Sequence, residues 1–280
     1  METRLKEVLA IVNNKGGVGK TTTVQSLAAA IVRRNKKARV LVIDLDPQCH
    51  LSILHGFDAK TNDLQRKKPN GEVKPTAYDA MRVGGPLPVY ASRRERVFIS
   101  PSSEFFQEVD ADLFRQMNPK RVLQKCFSQP VDNHTDEEFA DIISSFDYVL
   151  LDCPPALSQT TYNAMTVATG LLVPVQMEGL SVNGLGNIIV ALREVQSELN
   201  QNLELRGLLP TMVDARPKIV RDFIQYLRSS YSDSVCDTMI HRSVKMSEAQ
   251  TMQKDIYDYR FGQWSKVAND YDALAKELFN

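Results

Sequence analysis

The segment Asn14-Lys15-Gly16-Gly17-Val18-Gly19-Lys20-Thr21-Thr22 limits what this chain can be more than any other. Just before it runs Val8–Asn13 (VLAIVN), apolar and rich in β-branched residues. After it, Lys20–Asn35 carries Leu27, Ala28, Ile31 and Val32 at helical spacing, and Arg39–Asp44 (RVLVID) is a second apolar run. Such runs suit parallel strands buried on both faces, so the order reads strand, glycine-rich turn, helix, strand: a βαβ unit. Glycines allow a tight turn and a close approach to a ligand. Their amides can converge on anionic oxygens, and the following helix adds its positive dipole end. In that setting Lys20 would reach the β- and γ-phosphates of a nucleoside triphosphate, and the Thr21 hydroxyl would coordinate Mg²⁺. An accidental glycine-rich turn is the bland alternative; Gly-Lys-Thr-Thr at a strand-to-helix junction weighs against it.

Further buried strands are expected at Val97–Ser100, Asp147–Asp152, Gly170–Val175, Leu205–Met212 and Val235–Ile240. Helical patterns lie between them; in Val182–Asn200, Leu185, Ile188, Ile189, Leu192 and Leu199 share a face. This alternation predicts an α/β fold, a doubly wound and mostly parallel sheet flanked by helices. Residues 55–96 read as a loop-rich excursion with one short helix near Tyr78–Arg82. Residues 132–147 hold six acidic side chains and no Lys or Arg, which predicts a solvated helix and turn. No linker divides the chain, so one domain over residues 1–280 is expected.

Composition excludes several classes. Lys+Arg and Asp+Glu are each 34, so any nucleic-acid surface must be local. The longest apolar runs, such as Val40–Ile43 and Gly170–Val175, fall far short of the roughly 20 residues of a membrane span. Met-Glu-Thr-Arg-Leu-Lys-Glu at the start lacks the apolar core of a signal peptide. Cys49, Cys126, Cys153 and Cys236 are never closer than 27 residues, which excludes a CxxC pair and implies reduced thiols.

The phosphate motif also departs from GxxxxGK[ST], because Asn14 occupies the place of the first glycine. Lys15–Thr21 is similar instead to the deviant Walker A motif, KGGxGKT, of the ParA/MinD family of dimeric ATPases. Ile43-Asp44-Leu45-Asp46-Pro47-Gln48 resembles that family's DxDPQ segment, and Phe146–Pro155 (FDYVLLDCPP) resembles its Walker B strand and second switch. Val173-Pro174-Val175-Gln176, Thr211-Met212-Val213-Asp214-Ala215-Arg216 and Ser247-Glu248-Ala249 follow in the family's order. The resemblance covers most of the chain and is weakest at residues 55–96. It implies a Mg²⁺-dependent ATPase of slow basal rate. ATP would be held by Lys15, Gly16, Gly17, Val18, Gly19, Lys20, Thr21 and Thr22, with Met212 also in contact. Thr21, Asp44 and Asp152 would hold the metal, and Asp46 would orient or activate the attacking water. Lys15 would cross a dimer interface to the partner's phosphates and act as an arginine finger does, which makes Lys15, Lys20 and Asp46 the catalytic set. Taken singly, Asp44 or Asp46 could cap the turn before Pro47 and Lys15 could be merely solvated; three motifs in order reverse that balance.

Members of this family differ in what they move. MinD-like proteins end in a basic amphipathic helix that binds membrane. Here Val267, Tyr271, Leu274 and Leu278 form an apolar stripe, but Asp270, Asp272 and Glu277 outnumber Lys266 and Lys276, so the last helix should pack on the domain. Iron–sulfur relatives need cysteine ligands, and Cys153 has no partner for such a bridge. Residues 206–245 carry seven basic and four acidic side chains. The resemblance makes Arg193, Arg216, Lys218, Arg221, Arg242 and Lys245 candidates for binding double-stranded DNA non-specifically; Arg193 and Arg216 match DNA-contacting positions of the chromosomal, Soj-like branch. Solvated faces are the bland alternative. The denser group Arg33, Arg34, Lys36, Lys37 and Arg39 falls at a helix C-terminus, where cations offset the dipole. Only 14 residues precede Lys15, leaving no room for the DNA-reading domain of larger plasmid ParA proteins. The expectation is therefore a chromosome- or plasmid-partition ATPase in the cytoplasm, associated with the nucleoid and not with membrane. It would form a homodimer on ATP, bind DNA, and be released by hydrolysis that a ParB-like adaptor stimulates. An amidoligase-like P-loop synthetase and a MinD-like membrane-positioning ATPase are the alternatives.

Overall fold

Among the described residues, eight strands form one sheet in the order β5-β3-β4-β2-β6-β1-β7-β8. They are β1 (Glu7–Ile11), β2 (Val40–Asp44), β3 (Pro88–Ala91), β4 (Val97–Ser100), β5 (Asp132–His134), β6 (Tyr148–Asp152), β7 (Gly170–Gln176) and β8 (Glu204–Thr211). The structure is a computed structural model that describes residues 4–57, 74–177, 184–214, 217–260 and 262–279, without the side chains of 217–219 and 233. Every pairing is parallel except β3 with β4. The central strands read as unbroken apolar runs because both their faces are covered. Val8, Ala10 and Val12 enter one core cluster, and Leu9 and Ile11 enter the other.

Helix Lys20–Arg34 leaves β1 through the glycine turn and buries Val24, Leu27, Ala28 and Ile31. The last helix, Lys266–Phe279, packs against it: Val267, Tyr271, Leu274 and Leu278 are buried, as the apolar stripe predicted. The Tyr271 and Thr23 hydroxyls meet at 3.4 Å inside that contact. The expected helix in Val182–Asn200 is Leu185–Glu198, with 182–183 outside the described residues. Helix Ala77–Val83 takes the place expected near Tyr78–Arg82, capped reciprocally by Thr76 and Asp79.

The structure corrects three readings. Residues 88–91 form β3 within the supposed loop-rich stretch, of which 58–73 lie outside the described residues. Residues 132–134 form edge strand β5 rather than the start of a solvated helix; the helix that follows is one turn, Ile142–Ser145. Val235–Ile240 is not a strand. It runs beside β8 with one isolated bridge, Leu208 to Val235, and the single hydrogen bonds Cys236 N–H to Leu208 O and Ile240 N–H to Pro210 O. Pro210 has no N–H with which to continue a ladder. The amides of Asp237 and Thr238 turn instead to the Glu277 carboxylate at 2.8 and 2.9 Å.

Candidate active site

The C-terminal ends of β1, β2 and β6 meet at one edge of the sheet, where ligands of open α/β folds bind. Asn13, buried just after β1, ties the turn to β7: its Nδ2 donates to Pro174 O (2.7 Å) and its Oδ1 accepts from Lys15 N–H (2.9 Å). Gly17 and Gly19 have φ of 74° and 92°, values that L side chains rarely adopt. A Cβ at Gly16, Gly17 or Gly19 would meet no heavy atom within 4 Å, so the turn presents bare backbone to an open cleft. Val18 points the other way into the core, and Thr211 Oγ1 donates to its carbonyl at 2.9 Å. Helix Lys20–Arg34 has no acidic residue in its first turn and no side-chain cap, which leaves its first amides available to an anion.

Lys20 is 6% exposed and its Nζ donates to Lys15 O at 3.1 Å. Burial lowers its pKa, against the pull of Asp152 and Asp46. Asp44 and Asp152 are directly opposite one another on neighbouring strands β2 and β6, and both are buried. Both oxygens of Asp152 are buried without a hydrogen bond of good geometry, and the Thr21 hydroxyl lies beside them. Burial, and then the nearby Asp44, pushes its pKa well above the usual carboxylate range, against the downward pull of that hydroxyl. A buried carboxylate with unpaired oxygens, set opposite a second buried carboxylate, calls for a cation. Among the described residues no group of three or more His, Cys, Asp or Glu side chains could cage a metal. The donors therefore fit magnesium, which takes one or two carboxylates and completes its shell with water and phosphate.

Asp44 is more committed than its expected metal role implied. Its Oδ2 accepts from the Ser52 amide (2.8 Å) and hydroxyl (2.6 Å), and its Oδ1 from Asp46 N–H (3.1 Å). Burial still raises its pKa to about 7. Asp44 thus anchors helix His50–Leu54 to the cleft, a link that Ser52 supplies and that the motif alone did not reveal. Asp46 is half-buried at the mouth, with Oδ1 accepting from Gln48 N–H at 2.9 Å. Lys15 is exposed, and its Nζ donates to Gln176 Oε1 at 3.2 Å at the end of β7.

The cleft has a volume of about 610 Å³ and is lined by Gly16, Gly17, Gly19, Lys20, Thr21, Thr22, Asp46 and Met212, among others. A smaller cavity of about 150 Å³ shares Gly19, Thr22, Met212 and Gln250 with it and extends toward Met246, Ile240 and Tyr271. Sequence reasoning missed Gln250, whose Nε2 donates to Thr22 Oγ1 at 2.7 Å across 228 residues of chain. Met212 holds a φ of 51° at this junction. The expected DNA contacts are spread more widely. Arg193 is exposed on helix Leu185–Glu198 and Arg221 on helix Pro217–Tyr231. Arg242 and Lys245 are exposed at the start of helix Val244–Thr251, with Arg242 lining the smaller cavity. Arg216 and the Lys218 side chain lie outside the described residues.

A family model described as an AAA domain matches residues 6–205. The sporulation initiation inhibitor protein Soj of Bacillus subtilis is 31% identical over 280 residues, covering 97% of this chain and 98% of that protein. The chromosome partitioning protein ParA of Caulobacter vibrioides is 32% identical over 275 residues, covering 98% and 94%. Among solved structures, cobyrinic acid a,c-diamide synthase from Mycobacterium smegmatis, with ADP and magnesium bound, aligns with a TM-score of 0.77 at 27% identity, covering 97% of this chain and 93% of that one.

Proposed function

Because this chain belongs to the ParA/MinD family of P-loop ATPases, we propose that it is a partition ATPase: a single ATPase domain that couples ATP hydrolysis to the segregation of a DNA cargo. The observation that carries this reading is the glycine-lined helix N-terminus facing buried Lys20 and the orphaned Asp152 carboxylate. Bound there, ATP with magnesium supplies the transferable phosphoryl group and a metal charge against its oxygens. The amides of the turn and Lys20 bind the phosphates; Thr21 and Asp152 hold the cation. Asp44, already bonded to Ser52 and Asp46, contributes through water. The Oδ1 of Asp46 is held by Gln48 N–H, which leaves Oδ2 to take the proton of an attacking water. Met212 and Gln250 border the cavity beside the phosphates, where the nucleoside would lie.

The finer cycle is part of the proposal. ATP closes two copies into a sandwich, and Lys15 leaves Gln176 to reach the partner's phosphates, stabilising charge on the group in transfer. Two sets of Arg193, Arg216, Lys218, Arg221, Arg242 and Lys245 then face one duplex and bind it without sequence preference at the nucleoid. A ParB-like adaptor speeds hydrolysis and releases the DNA. The test is ATP turnover and duplex binding with and without random-sequence DNA. Slow turnover together with ATP-dependent duplex binding supports the reading; ATP turnover that ignores DNA, with no duplex binding in any nucleotide state, overturns it.

The similarity to a diamide synthase favours a second reading, an amidoligase-like synthetase. Turnover that requires a small carboxylic acid and an ammonia source, and ignores duplex DNA, would replace the partition reading.

A further inference from the structure

Behind helix His50–Leu54 lies a second cavity, of about 200 Å³, walled by Gln25 and Ala29 of helix Lys20–Arg34, by Leu54 and His55, and by the segments 92–97 and 253–258. It shares Arg93, Arg94 and Asp258 with a wider cleft of about 540 Å³, so the two form one continuous recess. The outer cleft is strongly cationic: Arg33, Lys36, Arg93, Arg94 and Arg96 face only Glu95 and Asp258. Arg94 is already committed to Asp255 (3.0 Å) and Asp258 (2.6 Å). Among the described residues, no carboxylate is paired with Arg33, Lys36, Arg93 or Arg96. Arg33 and Arg93 are also held in place by their side chains, and Arg96 by its backbone. The Arg33 guanidinium lies 4.4 Å from the Tyr257 ring centroid, Arg93 donates to Gln253 O at 3.2 Å, and Arg96 keeps a φ of 66° in the tight turn before β4.

The inner wall adds a different chemistry. Gln25 Oε1 and His55 Nε2 are buried there without hydrogen-bond partners, an arrangement that is costly in a protein interior. Ser92 Oγ accepts from Arg94 N–H and lies 3.0 Å from His55 Nδ1. Ser92 thus engages Nδ1 and leaves the Nε2 side of the ring without a partner. Fixed arginine forks without carboxylates are suited to phosphate. A cavity leading inward from them, with an unpartnered amide oxygen and an unpartnered imidazole nitrogen on the residues of its wall, suits a polar, uncharged head. A flat polyanion such as duplex DNA would use the outer cleft and leave the inner cavity unfilled.

We infer that this recess is a second ligand site, distinct from the ATP cleft, for a small phosphate ester whose hydrogen-bonding head enters the cavity between Gln25 and His55 while its phosphate rests on Arg33, Lys36, Arg93 and Arg96. Leu54 lines both this cavity and the phosphate cleft, and Gln25 lies one turn along its helix from Thr22. A ligand seated there braces from behind the helix that Asp44 anchors from in front.

The test measures binding of the four ribonucleoside 5′-monophosphates, inorganic pyrophosphate and a random 20-base-pair duplex by calorimetry. The proteins are the full chain, the Lys20→Ala variant, an Arg33→Glu/Arg96→Glu variant and Ala29→Leu, which fills the inner cavity. At least one monophosphate should bind Lys20→Ala as well as the parent chain and bind Arg33→Glu/Arg96→Glu at least tenfold more weakly. Ala29→Leu should weaken that monophosphate at least fivefold while leaving pyrophosphate within twofold. Binding lost in Lys20→Ala but kept in the arginine variant would place the probe on the ATP cleft and overturn the inference. So would binding of duplex alone, equal binding of pyrophosphate and every monophosphate, or no binding to Lys20→Ala. None of these outcomes depends on whether the chain partitions DNA.

Discussion

Charge is handled in opposite ways at the phosphate cleft and on the helical surface that carries Arg193 and Arg221. In the cleft, Lys20, Asp44 and Asp152 are 6%, 0% and 1% exposed, so each feels its neighbours through a poorly screened interior. On the helices, Arg193 and Arg221 are exposed to solvent, where water and salt weaken any single interaction. A buried charge is therefore bound to one set of partners, and its removal leaves another charge exposed to the loss. A surface charge acts by number and is replaceable.

That contrast makes the largest effect the easiest to break. Lys20→Ala should cost about 10³-fold in ATP affinity, the size expected when one member of a buried charge pair is removed, and hydrolysis should vanish with binding. Titration with a fluorescent ATP analogue would measure it; a loss below tenfold would put Lys20 in the same class as the surface arginines and end the comparison. Asp46 lies at the border, half-buried. Asp46→Ala should bind ATP within about twofold of the parent chain but turn it over about 10²-fold more slowly, the usual contribution of a positioned proton acceptor. Single-turnover hydrolysis separates the two quantities.

The interior treatment of charge reaches behind the cleft to His55. Burial, with the nearby Arg93, lowers its pKa from about 6.5 to about 4. Between those values the unfolded chain takes up a proton and the folded chain does not, so stability is lost as pH falls from about 6.5 to 4. The shift corresponds to something on the order of 3 kcal/mol. His55→Asn keeps a polar group near Ser92 and cannot titrate. Urea unfolding at pH 7 and pH 4.5 should show a smaller acid-side loss in this variant than in the parent chain. An identical pH slope in both would show that His55 protonates freely in the folded state.

How much of this was legible in the sequence depended on whether an interaction was local. The phosphate turn and the strands β1, β2, β4, β6, β7 and β8 are continuous runs, and reading them needs no knowledge of neighbours. Edge strand β5 has the polar sequence Asp-Asn-His, and β3 is a four-residue run opening on proline, which only its neighbours β4 and β5 turn into a strand. The reverse error at Val235–Ile240 has the same cause: its apolar pattern is real, but Pro210 on the adjacent strand cannot complete a ladder. At the site, Gln250 reaches Thr22 and Asn13 reaches Pro174 across more than 150 residues. No spacing rule finds such contacts. The expected DNA contacts were the least legible part, because exposed arginines make few contacts that distinguish a binding surface from a solvated one.

The smallest effect therefore falls on those DNA contacts, and salt reveals it better than affinity does. If an ATP-held dimer neutralises about six phosphates, its duplex affinity should fall roughly 10³-fold between 50 and 200 mM salt, at a slope near −0.9 per phosphate. Arg193→Ala removes one contact from each protomer. The slope should then drop by about 1.8 and the affinity near 100 mM salt by about tenfold, while nucleotide affinity stays unchanged. Lys37→Ala, at the far end of helix Lys20–Arg34, should change neither. Built into the hydrolysis-blocked Asp46→Ala chain, these substitutions can be compared over one salt series with a random-sequence duplex. If Arg193→Ala instead weakens ATP binding, or leaves the slope untouched, Arg193 is not a phosphate contact. If Lys37→Ala flattens the slope as much as Arg193→Ala does, the surface charge acts by total number alone, and the proposed face loses its place on the molecule.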